Sequence, residues 1–105
     1  MYGLIDTQIA EIKNIFVQHP DVVQVIIYGS PVKGNYKPGS DIDLAFTGTV
    51  INSTVLNKIN ISLDDLLLPY KYDLTIFDKI FNDDLIAHIK RAGIIIYGKN
   101  FEIEL

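Results

Sequence analysis

The stretch GSPVKGNYKPGSDIDL, residues 29–44, joins two apolar segments and decides the fold of this chain. It closes with Asp41 and Asp43, which open the segment DIDLAF, where polar and apolar residues alternate at first as in a strand. Alternation puts both carboxylates on one face, about 7 Å apart along the strand, while Ile42 and Leu44 point into the core. A lone Asp-x-Asp is more often a solvated pair at a strand edge, so its meaning depends on neighbouring features.

The same stretch opens with Gly29-Ser30, directly after the run VVQVIIY at 22–28, which predicts a buried strand. Ser30 followed by Pro31 is a favoured start for a short helix. Free backbone N–H groups at a helix start can hold an anion, and glycine lets a phosphate approach the backbone closely. An ordinary strand-to-helix turn is the alternative interpretation.

A third carboxylate, Asp73, lies in the alternating segment YDLTIF at 72–77. It shares a strand face with Thr75, whereas Tyr72, Leu74 and Ile76 point the other way. Taken alone, Asp73 would be a harmless residue at a sheet edge. Three aspartates on two strands beside a phosphate-type turn match the needs of metal-assisted phosphoryl transfer, and Mg²⁺ prefers carboxylate, water and phosphate oxygens. We expect their mutual repulsion to raise the pKa of at least one aspartate.

The rest of the chain predicts helices and strands in alternation. Apolar residues at helical spacing, with Asn82 as a cap and Gly93 as a stop for the last segment, predict helices over 7–18, 53–67 and 82–92. The strands are predicted at 22–28, 41–46, 72–77 and 94–97. This order implies an α/β (α+β) fold, a small mixed sheet with helices packed on it.

Length and composition narrow the class of protein. A chain of 105 residues, 49% hydrophobic, predicts a single domain over 1–105 with its own core. The apolar runs are far too short to span a membrane, and with no cysteines and no visible signal peptide we expect a cytoplasmic protein. The net charge of −4 argues against a nucleic-acid partner. Homo- or hetero-oligomers stay open.

Residues 29–44 resemble the signature of the nucleotidyltransferase superfamily that includes DNA polymerase beta: Gly-Ser, ten residues, then Asp-x-Asp. The resemblance to small bacterial minimal nucleotidyltransferases (MNT proteins) extends over almost the whole chain. It includes HPDV at 19–22, LPYKYDLTIF at 68–77 and IKRAGIIIYG at 89–98.

The resemblance implies a nucleotidyltransferase fold and a site for a nucleoside triphosphate. Asp41 and Asp43 would hold two divalent ions, expected to be Mg²⁺, and Asp73 would bind one of them and help to activate the attacking hydroxyl. Gly29 and Ser30 would hold the β- and γ-phosphates, and Ser40 would contact a phosphate or a metal-bound water. The implied reaction is transfer of AMP from ATP to a hydroxyl, and the implied partner is a HEPN-domain protein in a toxin–antitoxin pair.

The signature departs from the family at Pro31-Val32, where members commonly have Arg-Ala. Proline removes a backbone N–H at the turn expected to grip phosphate, and a basic side chain is lost as well. Two functions therefore stay open: an active nucleotidyltransferase, and a catalytically weak binding module that neutralises its partner by forming a complex.

Overall fold

A four-stranded mixed sheet organises the protein. The computed structural model describes residues 6–28, 41–68 and 70–98. The strands are β1 (Gln24–Tyr28), β2 (Asp41–Thr47), β3 (Lys71–Ile76) and β4 (Ile94–Gly98). Their order across the sheet is β3-β2-β1-β4, with β1 antiparallel to both β2 and β4 and with β2 parallel to β3. The sheet is therefore mixed, as the sequence predicts.

Two helices, α1 (Asp6–Val17) and α2 (Ser53–Asp65), cover one face of this sheet. The main core lies between them and the strands, and its centre is a near-perpendicular contact of the Phe16 and Phe46 rings at 5.5 Å. Side chains at alternate positions of β2 enter this core because successive strand residues point to opposite faces. Ile42, Leu44 and Phe46 are fully buried there, as alternation from Ile42 and Leu44 predicts.

The third helix, α3 (Asp83–Ala92), packs on the opposite face of the sheet. A smaller cluster of Tyr28, Ala45 and Ile89 fills the space beneath it. Asn82 caps the helix by accepting hydrogen bonds from the backbone N–H groups of Asp84 at 2.9 Å and Leu85 at 3.1 Å. The predicted cap is thus confirmed, and it fixes where α3 leaves the β3 end of the sheet.

Gly93 ends α3, as predicted, and it does so without a positive φ. A Cβ at this position would collide with the carbonyl oxygen of Ile89 and would lie 2.6 Å from Cγ2 of Ile26. Glycine is needed here because β4 must begin directly against the last turn of α3 and against β1.

Each described helix and strand lies close to its predicted position. Several boundaries differ from the predicted ones by one or two residues, for example the start of β1 and the end of α2. At the end of β3 the type of element is also wrong, because Phe77 belongs to a short 3₁₀ helix (Phe77–Lys79). The chain turns there because it must leave the sheet to reach α3, and the Phe77 ring packs under that helix. The short helix predicted to begin at Ser30 falls outside the described residues. None of the described helices combines the length and apolar character needed to cross a membrane, the longest having 13 residues.

Candidate active site

Two of the predicted site residues, Asp43 and Asp73, lie directly opposite each other on the parallel strands β2 and β3. Residues paired in this way lie about 4.8 Å apart across the sheet, and their side chains point to the same face. That face is the one on which α3 packs, because Ala45, which shares it, belongs to the cluster under α3. The structure thus brings together two carboxylates that are far apart in sequence.

Asp41 joins the same face from the first position of β2. It lies two residues before Asp43, so the two side chains share an orientation. Its partner across the strand pair is Lys71. Asp41 and Asp73 are exposed and Asp43 is half-buried, so the carboxylates form a surface that is open to solvent and deepest at Asp43.

Burial raises the pKa of Asp43 above its ordinary value, and the negative charges of Asp73 and then Asp41 raise it further. The prediction that at least one aspartate has a raised pKa is therefore confirmed. The physical reason is that a partly buried carboxylate loses hydration while two like charges stand beside it. A cation placed among these groups would relieve the repulsion.

The donor set fits a magnesium ion that is shared with a ligand better than one enclosed by protein alone. Among residues 6–28, 41–68 and 70–98, no three acidic, histidine or cysteine side chains gather closely enough to hold a metal ion by themselves. Mg²⁺ usually takes one or two carboxylates and completes its shell with water and substrate phosphate. Asp43 with Asp73 or Asp41 supplies that number of carboxylates, and the open surface leaves room for phosphate.

Beside the carboxylates, on the same face of the sheet, lies a hydrogen bond between two side chains that the sequence analysis did not single out. Tyr28, only 7% exposed, is paired with Asp43 across β1 and β2 and forms a side-chain hydrogen bond with Thr75. Burial raises the pKa of Tyr28, the Thr75 hydrogen bond lowers it, and the charges of Asp43 and Asp73 raise it. The Tyr28 phenol therefore stays neutral beside the aspartates.

His88 of α3 contacts the other side of Tyr28, with the two rings edge to face and their centroids 6.5 Å apart. This contact links α3 to Tyr28, the residue that is paired with Asp43. This ring contact gives His88 a structural role in packing α3 against Tyr28. The signal in the sequence was the position of Tyr28 directly before Gly29-Ser30. A residue at the end of that strand can pair with Asp43 on the neighbouring strand, as Tyr28 does.

The predicted phosphate-binding residues, Gly29, Ser30 and Ser40, lie outside the described residues, as does Pro31-Val32. Their roles stay predictions. The described part does fix where that segment starts and ends, because it leaves β1 at Tyr28 and returns at Asp41, and Tyr28 is paired with Asp43.

Comparisons with known proteins show what the sequence and the fold are similar to. Residues of this chain align with the aminoglycoside (3'') (9) adenylyltransferases of Klebsiella pneumoniae and Escherichia coli at 44% identity over 48 residues. The aligned region is 44% of this chain and only 18% of those enzymes. The chain thus corresponds to a small part of each of these relatives.

The fold also occurs in solved structures. A toxin–antitoxin structure with AMP-PNP superimposes with a TM-score of 0.70 at 19% identity, covering 96% of this chain and 79% of that one. The structure of a tri-AMPylated Shewanella oneidensis HEPN toxin in complex with MNT antitoxin gives a TM-score of 0.67 at 16% identity, covering 99% and 78%. At these identities the likeness shows a shared fold.

The family assignment rests on sequence. The family model described as "Polymerase beta, Nucleotidyltransferase" matches residues 10–102, which include all three aspartates and the Gly-Ser pair. With the parallel pair of β2 and β3 carrying those aspartates, this match shows that the chain belongs to the polymerase beta nucleotidyltransferase family.

Proposed function

We propose that this protein transfers AMP from ATP to a hydroxyl group of a HEPN-domain protein, in the cytoplasm, with Mg²⁺ as its cofactor. The observation that carries the proposal is the register of Asp43 with Asp73, with Asp41 on the same exposed face. The adenylyltransferase relatives support the choice of AMP, and the AMPylated HEPN toxin bound to an MNT antitoxin supports the choice of partner.

In this proposal the aspartates divide the work according to their positions. Asp41 and Asp43 hold Mg²⁺, which neutralises charge on the triphosphate when it is bound. Gly29, Ser30 and Ser40 bind phosphate oxygens. Asp73, exposed on the outermost strand, helps to hold a metal ion and accepts the proton of the attacking hydroxyl at a carboxylate oxygen. The new bond joins the acceptor oxygen to the α-phosphorus, and the bond to pyrophosphate breaks.

Tyr28 and Thr75 lie beside the carboxylates on the same face of the sheet, and neither takes part in the proposed reaction. Their side chains share a hydrogen bond, so these groups beside Asp43 and Asp73 are neutral. Neutral neighbours add no further negative charge to a site that must accept a triphosphate.

The test is to incubate the protein with Mg-ATP and the purified product of its neighbouring gene, and to measure the intact mass of that product. We expect a gain of one or more AMP groups. Asp41→Asn/Asp43→Asn should abolish the gain, whereas the charge-matched Asp64→Asn/Asp65→Asn, altered on exposed positions of α2, should keep it. A gain that survives Asp41→Asn/Asp43→Asn would refute the assignment of the site.

A second function is favoured by one feature, the proline at position 31, which lacks the N–H that a phosphate would use. In this alternative the chain is a binding module that caps its partner and turns over slowly or not at all. A stable complex without any gain of AMP, in the same experiment, would support the module and contradict the enzyme.

A further inference from the structure

The strand that carries Asp73 is the last strand on its side of the sheet. β3 pairs with β2, and no strand in the described part of the chain pairs with its outer side. Such an edge presents backbone N–H and C=O groups at the spacing of an extended polypeptide. Its natural complement is therefore another strand.

A cleft of about 350 Å³ runs beside this edge, between β3 and α2. Its lining combines apolar side chains with side chains that carry hydroxyl, carboxamide or carboxylate groups. The lining residues are Ser53, Leu56, Asn57, Asn60, Tyr72, Asp73 and Leu74. Asn57 is exposed and Asn60 is half-buried. Carboxamides donate and accept hydrogen bonds, so this wall can meet both side chains and backbone of a bound segment.

The alternation of side chains relates the edge to the candidate active site. On β3, Asp73 and Thr75 point to the face of α3, whereas Tyr72 and Leu74 pack toward α1 and α2. In a strand added to β3, the residue paired with Asp73 would point to the same face as Asp73. Its two neighbours would point to the α2 side, where the cleft lies.

The order of the strands across the sheet relates an added strand to the residues of the candidate active site. β1 leads into Gly29-Ser30, β2 carries Asp41 and Asp43, β3 carries Asp73, and the open edge comes next. In this order, an acceptor bound along the open edge would lie next to Asp73, the residue proposed to take the proton of its hydroxyl.

We propose that the acceptor binds as a fifth strand: an extended polypeptide segment pairs with β3 and places a tyrosine, serine or threonine opposite Asp73. The flanking side chains of that segment occupy the cleft beside Asn57 and Leu74. This inference rests on the proposed function and names the form in which its protein acceptor is recognised. A sugar or a duplex has no backbone that could pair with the edge.

The first test uses hydrogen exchange on the Asp41→Asn/Asp43→Asn chain, mixed with the product of the neighbouring gene, so that its readout is independent of turnover. Backbone amides of β3 should exchange about tenfold more slowly in the mixture. The other edge strand, β4, serves as an internal reference and should not change. Absence of protection at β3, or protection at β4 alone, would overturn the proposal.

The second test narrows the cleft in the active chain. Asn57→Trp should raise KM for the acceptor protein about tenfold and leave KM for ATP unchanged. The matched variant Lys58→Trp, at the next, exposed position of α2 and outside the cleft, should leave both constants unchanged. Equal acceptor KM values in the two variants would contradict the docking mode.

The two ideas fail separately. If AMP transfer occurs while β3 stays unprotected, the proposed function stands and the fifth strand is wrong. If β3 is protected while no AMP is transferred, the fifth strand stands as a docking mode and the proposed enzyme is wrong.

Discussion

Asp43 and Asp73 face each other across the only parallel strand pair of the described sheet, and burial, followed by the charges of Asp73 and Asp41, raises the pKa of Asp43. A carboxyl whose pKa is higher in the folded than in the unfolded chain binds more protons when folded. The free energy of unfolding therefore falls as pH rises above the ordinary value of 3.8 and through the raised pKa of Asp43.

Asp43→Asn removes this penalty, so we expect it to raise Tm by about 2 °C at pH 7 in EDTA and to flatten the decline between mildly acidic and neutral pH. Thermal unfolding followed by circular dichroism across that pH range measures both. Asp21→Asn, which removes a charge at an exposed turn, is the control and should change little. A lower Tm for Asp43→Asn in EDTA would contradict the repulsion inferred here.

Adding Mg-ATP should reverse the order of the two Tm values, so that the wild-type chain unfolds at a higher temperature than Asp43→Asn. Ligand that binds only the folded state stabilises it by mass action, by about 2.7 kcal/mol at a hundred times Kd. The wild-type chain should therefore gain Tm, whereas Asp43→Asn, deprived of a metal-holding carboxylate, should gain little. Equal gains in both chains would show that Asp43 does not contribute to ligand binding.

Two neighbouring tyrosines should respond in opposite ways to loss of the hydroxyl. The Tyr72 hydroxyl is buried without a hydrogen-bond partner among the described residues, whereas the Tyr70 hydroxyl donates to Oε1 of Gln8 at 3.2 Å. Tyr72→Phe should keep or raise the free energy of unfolding, and Tyr70→Phe should lower it by about 1 kcal/mol. Urea titration of both variants gives the comparison.

Alkaline pH provides an independent check on Tyr72. Burial, followed by the charge of Asp64, raises its pKa to about 12 from 10.0, so the wild-type chain should lose stability as pH rises above 10. Tyr72→Phe should lose less over the same range. Parallel decline of both chains would contradict the burial of this hydroxyl.

Gly93→Ala should destabilise the fold by about 1–3 kcal/mol because its Cβ would meet Cγ2 of Ile26 and the Ile89 carbonyl oxygen. The matched variant Ala87→Leu, which enlarges an exposed position of the same helix, should change stability by no more than about 0.5 kcal/mol. Denaturant unfolding of the two variants decides the point. A Gly93→Ala chain as stable as the wild type would show that α3 and β4 can separate there at no cost.

Local patterns predicted most of the fold. Alternation placed Asp73 and Thr75 on one face of β3, and the Asn82 cap and Gly93 stop bounded α3 closely, because these signals are contained within a few neighbouring residues. The Asp-x-Asp spacing likewise put Asp41 and Asp43 on one face without any knowledge of the partner strands.

Features that depend on the order of strands could not be read in this way. Spacing alone does not say that Asp73 pairs with Asp43, that Tyr28 of β1 forms a hydrogen bond with Thr75 of β3, or that β3 is an edge strand of the described sheet. Each is a contact between segments far apart in sequence, so it is set by packing of the whole sheet. The 3₁₀ turn at Phe77 was missed for the same reason, since the need to reach α3 ends the strand.

The parallel pairing of β2 with β3 also has a consequence for how the proposed site forms. The chain between these strands includes α2, and such nonlocal parallel pairing is slow compared with local helix formation. In a chain that is incompletely folded or still being synthesised, the aspartates would thus lie far apart and would not repel one another. The three carboxylates would come together only in the completed fold, so an immature chain would lack the proposed site.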